Sequence, residues 1–283
     1  MSHSNVLGFG LDNQYAHDYP GGMSGLCDKF RRQLSHISIV SLPSVEESTQ
    51  FKNNISQNLP VIHHFSGIAP CDPEGPNLDV LSLQSAISRN LEAIWCLEDI
   101  GIWSIGPYGI PYFAPPPFLP QVAKLVGERI KEIIDNVTIP FLAEIPSCSF
   151  VLGNQALGEF FWQLVNESNC KVVLDVSHVY SYSLATEKDY FEVLENLPLE
   201  AVWEIHVAGG KVSKKSNKRY IDTHSDPVME EVEQILEQAI KKCLNLRAIT
   251  YEIGVKSTED LIEAQFTRLT SIIEKSGFSP RVS

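Results

Sequence analysis

The sequence predicts a single (β/α)8 TIM barrel of the α/β class spanning residues 1–283, and three observations predict it. Short β-branched or apolar runs alternate with longer amphipathic segments; eight such runs can be counted; and 283 residues is close to the roughly 250 typical of one such barrel. Alternation of strand and helix is the signature of a parallel sheet, and a count of eight points to closure. An open doubly wound sheet is disfavoured because no Gly-x-Gly-x-x-Gly turn follows the first strand; Gly8-Phe-Gly10 lies inside it.

Taken in order, the strands are read at Leu7–Leu11, Ile37–Leu42, Pro60–His64, Ile102–Ile105, Pro140–Ile145, Lys171–Val176, Ala201–Val207 and Arg247–Ile253. The clearest helical patterns are Val80–Leu97, Pro120–Asn136, Asn154–Asn166, Pro227–Leu244 and Thr258–Lys275. Asn77 to Asp79 supplies a start signal for the first of these, and Ser257 with Asp260 a capping-box pattern for the last. The stretch Pro107–Pro120, rich in proline and aromatics (Tyr108, Tyr112, Phe113, Phe118), reads as a long loop over the barrel mouth.

Composition narrows the function. Hydrophobic residues make up 43% and charged residues 20%, a globular balance with material for a large core. No run of about eighteen apolar residues exists, so no membrane span is expected. Met-Ser-His-Ser-Asn at the start lacks a basic segment followed by an apolar stretch, which argues against a secretory signal. A formal net charge of −13 argues against nucleic acid as partner, because phosphate contacts need clustered Lys and Arg. The one basic cluster, Lys211 to Arg219, reads as a solvated surface turn or, more sharply, as a patch docking an acidic peptide or substrate. Six scattered cysteines without a CxxC pair indicate neither a zinc knuckle nor a disulfide framework, and reduced, cytoplasmic thiols are expected. Cys27, Cys96 and Cys243 fall in helical patterns; Cys148 stands out because it follows Glu144 by four positions.

In such barrels the chemistry sits at the C-terminal ends of the strands. Ionisable residues collect there: His63-His64 after the third strand, Glu144 after the fifth, Asp175 and His178 after the sixth, Glu204 and His206 in the seventh, and Glu252 in the eighth. Asp222-Thr-His224 closes the long loop after the seventh strand. Any one of these alone is more simply a hydrogen-bonded structural residue. Several carboxylates buried together must be paired, protonated or metal-bound, and no Lys or Arg occurs in those strand ends. A divalent or trivalent cation is the simplest compensating charge, and imidazole with carboxylate suits Fe, Mn, Zn or Co. His63 can point away from His64, since strand neighbours alternate faces, and Glu204 can lie deeper behind His206.

At these residues the chain resembles the multinuclear non-haem iron-dependent oxidative enzymes, the barrel proteins that include the methanobactin-type oxazolone-forming oxidase. The matching pieces are Leu59-Pro-Val-Ile-His-His64 with Gly67, Glu144-Ile-Pro-Ser147, Leu174-Asp-Val-Ser-His-Val-Tyr180, Glu204-Ile-His-Val-Ala-Gly209, Asp222-Thr-His-Ser-Asp-Pro-Val228 and Tyr251-Glu252. The resemblance implies a xylose-isomerase-like barrel holding two irons, up to three, with dioxygen as co-substrate. The ligands it implies are His64, Glu144, Asp175, His178, His206, Asp222, His224 and Glu252. Among them Asp175, His206 and Glu252, with Glu144, hold the iron at which the substrate is oxidised; His178, Asp222 and His224 hold a second. Its implied substrate is a ribosomally made precursor peptide, oxidised typically at a cysteine, and a small partner protein commonly presents that peptide. Tyr180 and Tyr251 are candidate neighbours of the ligands, or packing residues.

The chain departs from the family pattern at the fourth strand, where Ser-Asp/Glu-His-Leu-x-Trp is usual. Here Glu98-Asp-Ile-Gly-Ile-Trp103 aligns, so Ile100 stands where a histidine ligand is expected, with Asp99 or His63 as substitutes. The usual Glu-Asn-Pro-Ser is Glu-Ile-Pro-Ser here, and the early Glu-Asn motif is not recognisable in Ile37–Leu42. A dinuclear core is therefore the firmer expectation. Two other readings stay open: a zinc- or manganese-dependent hydrolase or isomerase on the same barrel, and a degenerate barrel that binds a peptide or partner enzyme.

Overall fold

The computed structural model describes residues 6–12, 19–40, 42–54, 59–216 and 219–278, so the reading of Met1–Asn5 lies outside the described residues. In chain order the elements are β1 (Gly8–Asp12), α1 (Gly22–Phe30), β2 (Ile37–Val40), α2 (Val45–Asn54), β3 (Val61–His64), α3 (Leu78–Leu91) and β4 (Cys96–Asp99). There follow β5 (Ile102–Ile105), β6 (Tyr108–Ala114), α4 (Pro120–Asn136), β7 (Phe141–Glu144), α5 (Leu157–Ser168), β8 (Lys171–Asp175), α6 (Val176–Thr186) and α7 (Tyr190–Glu195). The chain ends with β9 (Val202–Ala208), β10 (Gly210–Val212), β11 (Tyr220–Asp222), α8 (Glu230–Lys242), β12 (Ala248–Glu252) and α9 (Glu259–Lys275).

Eight parallel strands close into a barrel in the order β1-β12-β9-β8-β7-β4-β3-β2. The predicted fourth strand needs correction. Ile102–Ile105 is a strand, but it pairs antiparallel with β6 in a separate two-stranded sheet; the barrel strand is Cys96–Asp99. Sequence pattern had carried the preceding helix through to Leu97. In fact α3 stops at Leu91, because Glu92 turns left-handed at φ 54° and its N–H returns to Arg89 O. Trp95, Cys96 and Leu97 are all buried, and a short run apolar at every position reads equally as strand or buried helix. Cys96 is thus a strand residue. The expected loop 107–120 is half strand, and it covers the mouth as anticipated: Tyr112 Oη donates to Asp222 Oδ2 at 3.3 Å.

The predicted caps mostly hold. Asn77 accepts from Val80 N–H at 3.1 Å, whereas α9 is capped by Thr258, one residue past the expected Ser257, whose hydroxyl is drawn off to His224 O. Four helices carry no clear period in the sequence: α1, α2, α6 and α7. α6 is apolar or small on nearly every side because it is buried along its length, and its N-cap is a site residue, Asp175.

Strand periodicity places the site. Ile62, Leu97, Leu142, Val173 and Ala248, with Trp95, form a compact apolar cluster separate from the larger one between sheet and helices. Two residues further along the same strands, on the same interior face, stand His64, Asp99, Glu144 and Asp175; Glu204 leads likewise to His206, and Thr250 to Glu252. The barrel interior is therefore apolar towards its N-terminal end and ionisable at its mouth. Among the described residues no helix is long and apolar enough to cross a membrane.

Candidate metal centre

All eight predicted ligands converge on the mouth. His206 Nδ1 lies 3.0 Å from Glu144 Oε1 and 3.2 Å from Glu252 Oε1. Glu144, Asp175, His206 and Glu252 each bring a ligand atom within 4.8 Å of the others, the arrangement one ion requires. Asp222 Oδ2 lies between His178 Nε2 at 2.9 Å and His224 Nε2 at 3.3 Å, and so joins the second predicted set. His64 Nε2 sits 3.4 Å from Glu144 Oε2 and 3.5 Å from Asp99 Oδ2, and these three form a further close group.

Of the two candidates to stand in for the family's histidine, Asp99 is thus the one that faces His64 and Glu144. Ile100 turns into the core behind the sheet, and His63 faces the helices, where Nδ1 meets Ser88 Oγ at 2.7 Å. The sequence offered both alternatives; strand alternation from His64 separates them once Cys96–Asp99 is known to be a barrel strand. Tyr180 and Tyr251 belong to the packing behind the barrel, Tyr180 edge-on to Tyr220 with ring centroids 5.6 Å apart. The hydroxyl of Tyr112 over Asp222 was not foreseen, since nothing in a Pro-rich aromatic loop shows where one ring will land.

Local structure pre-sets several donors. Asp175 Oδ1 caps α6 by accepting the His178 N–H at 2.8 Å, which leaves Oδ2 aimed at the mouth. His178 Nδ1 donates to Ile145 O at 2.6 Å, so the lone pair of the neutral ring is on Nε2, facing Asp222. The β10–β11 hairpin brings Asp222 back beside β9, in register with Gly210. Gly209 is needed there: a Cβ on it would lie 1.7 Å from Asp226 O in the segment that carries His224. His224 itself holds a left-handed φ of 52°, fixed by its N–H to Gly209 O and by Gly254 N–H and Ser257 Oγ on its carbonyl.

The electrostatics ask for cations. Burial alone would lower the imidazole pKa values; the surrounding carboxylates outweigh it, pushing His64 up to about 9 and His224 to about 10, and His178 and His206 also well up. Burial raises Glu144 to about 7 and Asp175 to about 6, against the pull of the histidines. Glu252 is depressed to about 2 despite burial, chiefly by His206 and His224. Among the described residues the Lys side chains lining this roughly 650 Å3 cavity are Lys211 and Lys256, at its rim, and Lys211 is held by Asp226 at 2.8 Å.

A metal fits these residues on a direct observation. His64 Nδ1, Asp99 Oδ1, Glu144 Oε2, Asp175 Oδ2 and Asp222 Oδ1 are buried without a hydrogen-bond partner. Buried polar atoms are nearly always satisfied, and here five of the unsatisfied ones gather where a cation would sit. The donor set of imidazole nitrogen and carboxylate oxygen suits iron, manganese or zinc.

The family model for RiPP precursor modification enzymes of the MbnB/TglH/ChrH type matches residues 40–262. The chain belongs to this family. Among curated relatives, a UPF0276 protein of Caulobacter vibrioides is 24% identical over 187 residues, 65% of this chain and 66% of the relative. The match thus spans just under two thirds of that relative's length. Among solved structures, a xylose isomerase domain containing protein of Salmonella typhimurium superposes with a TM-score of 0.64 at 16% identity, covering 97% of this chain and 99% of the other. A xylose isomerase-like TIM barrel protein of Mycobacterium smegmatis, in complex with magnesium, gives 0.60 at 12%, covering 98% and 99%. At such identities the two structures speak for the fold, a xylose-isomerase-like barrel.

Proposed function

We propose that this chain is a multinuclear iron, dioxygen-dependent oxidase that modifies a residue, by preference a cysteine, of a ribosomally made precursor peptide. The observation that carries the reading is the mouth itself: four histidines and five carboxylates, with unpartnered atoms facing one another, in a family of precursor-modifying enzymes. One ion would be held by Glu144, Asp175, His206 and Glu252, with Asp175, His206 and Glu252 beside the reacting groups. A second would be held by His178, Asp222 and His224, and a third by His64, Asp99 and Glu144. Bound there, iron supplies the redox chemistry for oxidation of the peptide by dioxygen.

The protein's own groups do the rest. Trp103, Tyr112 and Phe113 wall the cavity on the β5–β6 side and exclude water from it. Asp72 anchors that wall by accepting Trp103 N–H at 2.6 Å and Ser104 Oγ at 2.5 Å. Lys256 gives the rim a positive charge that an acidic peptide would meet, while Lys211 is paired with Asp226. A small partner protein that presents the peptide belongs to the same proposal. Asp99 counts against a degenerate barrel, because a ligand-type side chain occupies the place of the missing histidine.

The test is metal analysis with Mössbauer spectroscopy on protein purified anaerobically from iron-supplemented cells, followed by dioxygen uptake with peptides encoded near the gene. Two or three coupled irons per chain and a peptide mass change are expected. Zinc or manganese without dioxygen chemistry would instead point to a hydrolase or isomerase.

A further inference from the structure

Below the mouth the barrel holds a second polar layer of opposite character. Buried His36, Thr250, Glu204 and His206 form a column that starts at half-buried Ser35, and Trp95 joins it from the side. Thr250 Oγ1 donates to Glu204 Oε1 at 2.5 Å, and the indole of Trp95, which can only donate, gives its hydrogen to Glu204 Oε2 at 2.7 Å. With the Thr250 hydrogen used, its oxygen accepts from His36 Nε2 at 3.0 Å; His36 Nδ1 lies 2.8 Å from Ser35 Oγ, which donates to Phe9 O at 3.0 Å. His206 Nε2 meets the same Glu204 Oε1 at 3.1 Å. β1 makes room for this column: a Cβ on Gly10 would lie 2.4 Å from His36 Nε2. No atom of these six side chains is among the buried unpartnered ones, whereas five residues of the mouth just above are.

We propose that Glu204 is a positioning residue that keeps the His206 proton on Nε2 and so turns the Nδ1 lone pair to the metal. This rests on the metal reading above. Both Glu204 oxygens already accept, Oε1 from Thr250 and Oε2 from Trp95, so the carboxylate has no hydrogen to give and His206 Nε2 must donate. Nδ1 then faces Glu144 Oε1 and Glu252 Oε1, two acceptors at 3.0 and 3.2 Å, a place that a proton fills in the metal-free protein and that a metal ion would fill once the proton leaves. A carboxylate behind a metal-bound imidazole fixes ring orientation and raises ligand basicity, and its loss typically costs about 10–100-fold in metal affinity.

The experiment compares wild type, Glu204→Gln and Thr250→Val. Iron(II) affinity is measured anaerobically by competition with a chromogenic chelator, and histidine nitrogen shifts are read by 15N NMR on zinc-loaded protein. The expected result is Nε2–H with metal on Nδ1 in wild type, and affinity lower by about 10–100-fold in Glu204→Gln. Thr250→Val should lose less, because the carboxylate remains, and it serves if Glu204→Gln fails to fold. Wild type that binds iron while Glu204→Gln, or a folded Thr250→Val where Gln is unusable, binds it equally well would overturn the positioning role alone. Nδ1–H in the zinc-loaded wild type would do the same. Wild type that takes up no metal would instead refute the reading on which the proposal rests.

Discussion

Replacing Asp222 by alanine is the sharpest test of the centre, because this residue lies outside the barrel sheet. It belongs to the β10–β11 hairpin, so its loss leaves every barrel ladder intact. Oδ2 touches His178 Nε2 at 2.9 Å and His224 Nε2 at 3.3 Å, and Oδ1 has no partner. In metal-free protein, breaking a buried pair costs about 3–5 kcal/mol when the remaining charge is uncompensated. Here Asp175 stays 3.9 Å from His178 and Glu252 stays 3.7 Å from His224, so compensation is partial. A loss of about 1–3 kcal/mol is expected, the range for one unsatisfied buried group. Iron binding should suffer more. Groups behind a ligand already cost about 10–100-fold, so a direct ligand should cost at least about 100-fold at its site. Iron per chain, read by plasma mass spectrometry, should fall by one equivalent, and the Mössbauer signature of coupling should change while circular dichroism stays native. Full iron content with unchanged coupling would refute the assignment of His178, Asp222 and His224 as one set.

Three further outcomes are expected. Asp99→Asn should remove the ion shared with His64 and Glu144 and leave the others, seen as a fall of one iron per chain; no fall would mean that the third group holds none. The metal-free protein should lose stability as pH rises. His64 and His224 are raised to about 9 and about 10 by the carboxylates, from about 6.5 in an unfolded chain, so their contribution is full below 6.5 and is lost through 9–10. The loss is on the order of several kcal/mol, measurable by urea titration at pH 6 to 10, and a flat or rising profile would contradict it. Tyr112→Phe removes only the hydroxyl that donates to Asp222, so iron content should not change, and iron loss would make Tyr112 part of the centre.

How far the sequence reached depended on what each signal measures. The barrel was legible because alternation of element types is a global pattern, tolerant of local error. Even the misplaced fourth strand left the number of barrel strands right. The cluster of candidate ligands was legible because each lies at a strand end or in a short segment whose residue types have little other reason to occur together. Asp99 was the exception: its role depends on which of Glu98, Asp99 and Ile100 faces inward, and that parity was lost with the strand. Glu98 turns outward, where its carboxylate accepts three backbone N–H groups from Gly67, Ile68 and Ala69. A one-residue change of phase exchanges such roles completely. The place of the β5–β6 segment over the mouth was legible, but its pairing into a hairpin wall was not, for a different reason. The wall depends on Asp72, more than thirty residues away in sequence, and no local pattern encodes that contact.

The two polar layers also explain how such a centre can be built before its metal arrives. Five carboxylates in one cavity would repel one another, yet four imidazoles with raised pKa values stand among them, and with those protonated the mouth is one charge from neutral. Burial, by raising Glu144 to about 7 and Asp175 to about 6, removes part of the remaining repulsion. Protons therefore occupy the electrostatic role that metal ions would take over, and metal uptake must release them. The Glu204 column lies outside that exchange: its donors are satisfied within the barrel and need no ion. The column supplies rigidity and the mouth supplies unsatisfied charge, which is the division expected where a folded scaffold receives its metals last.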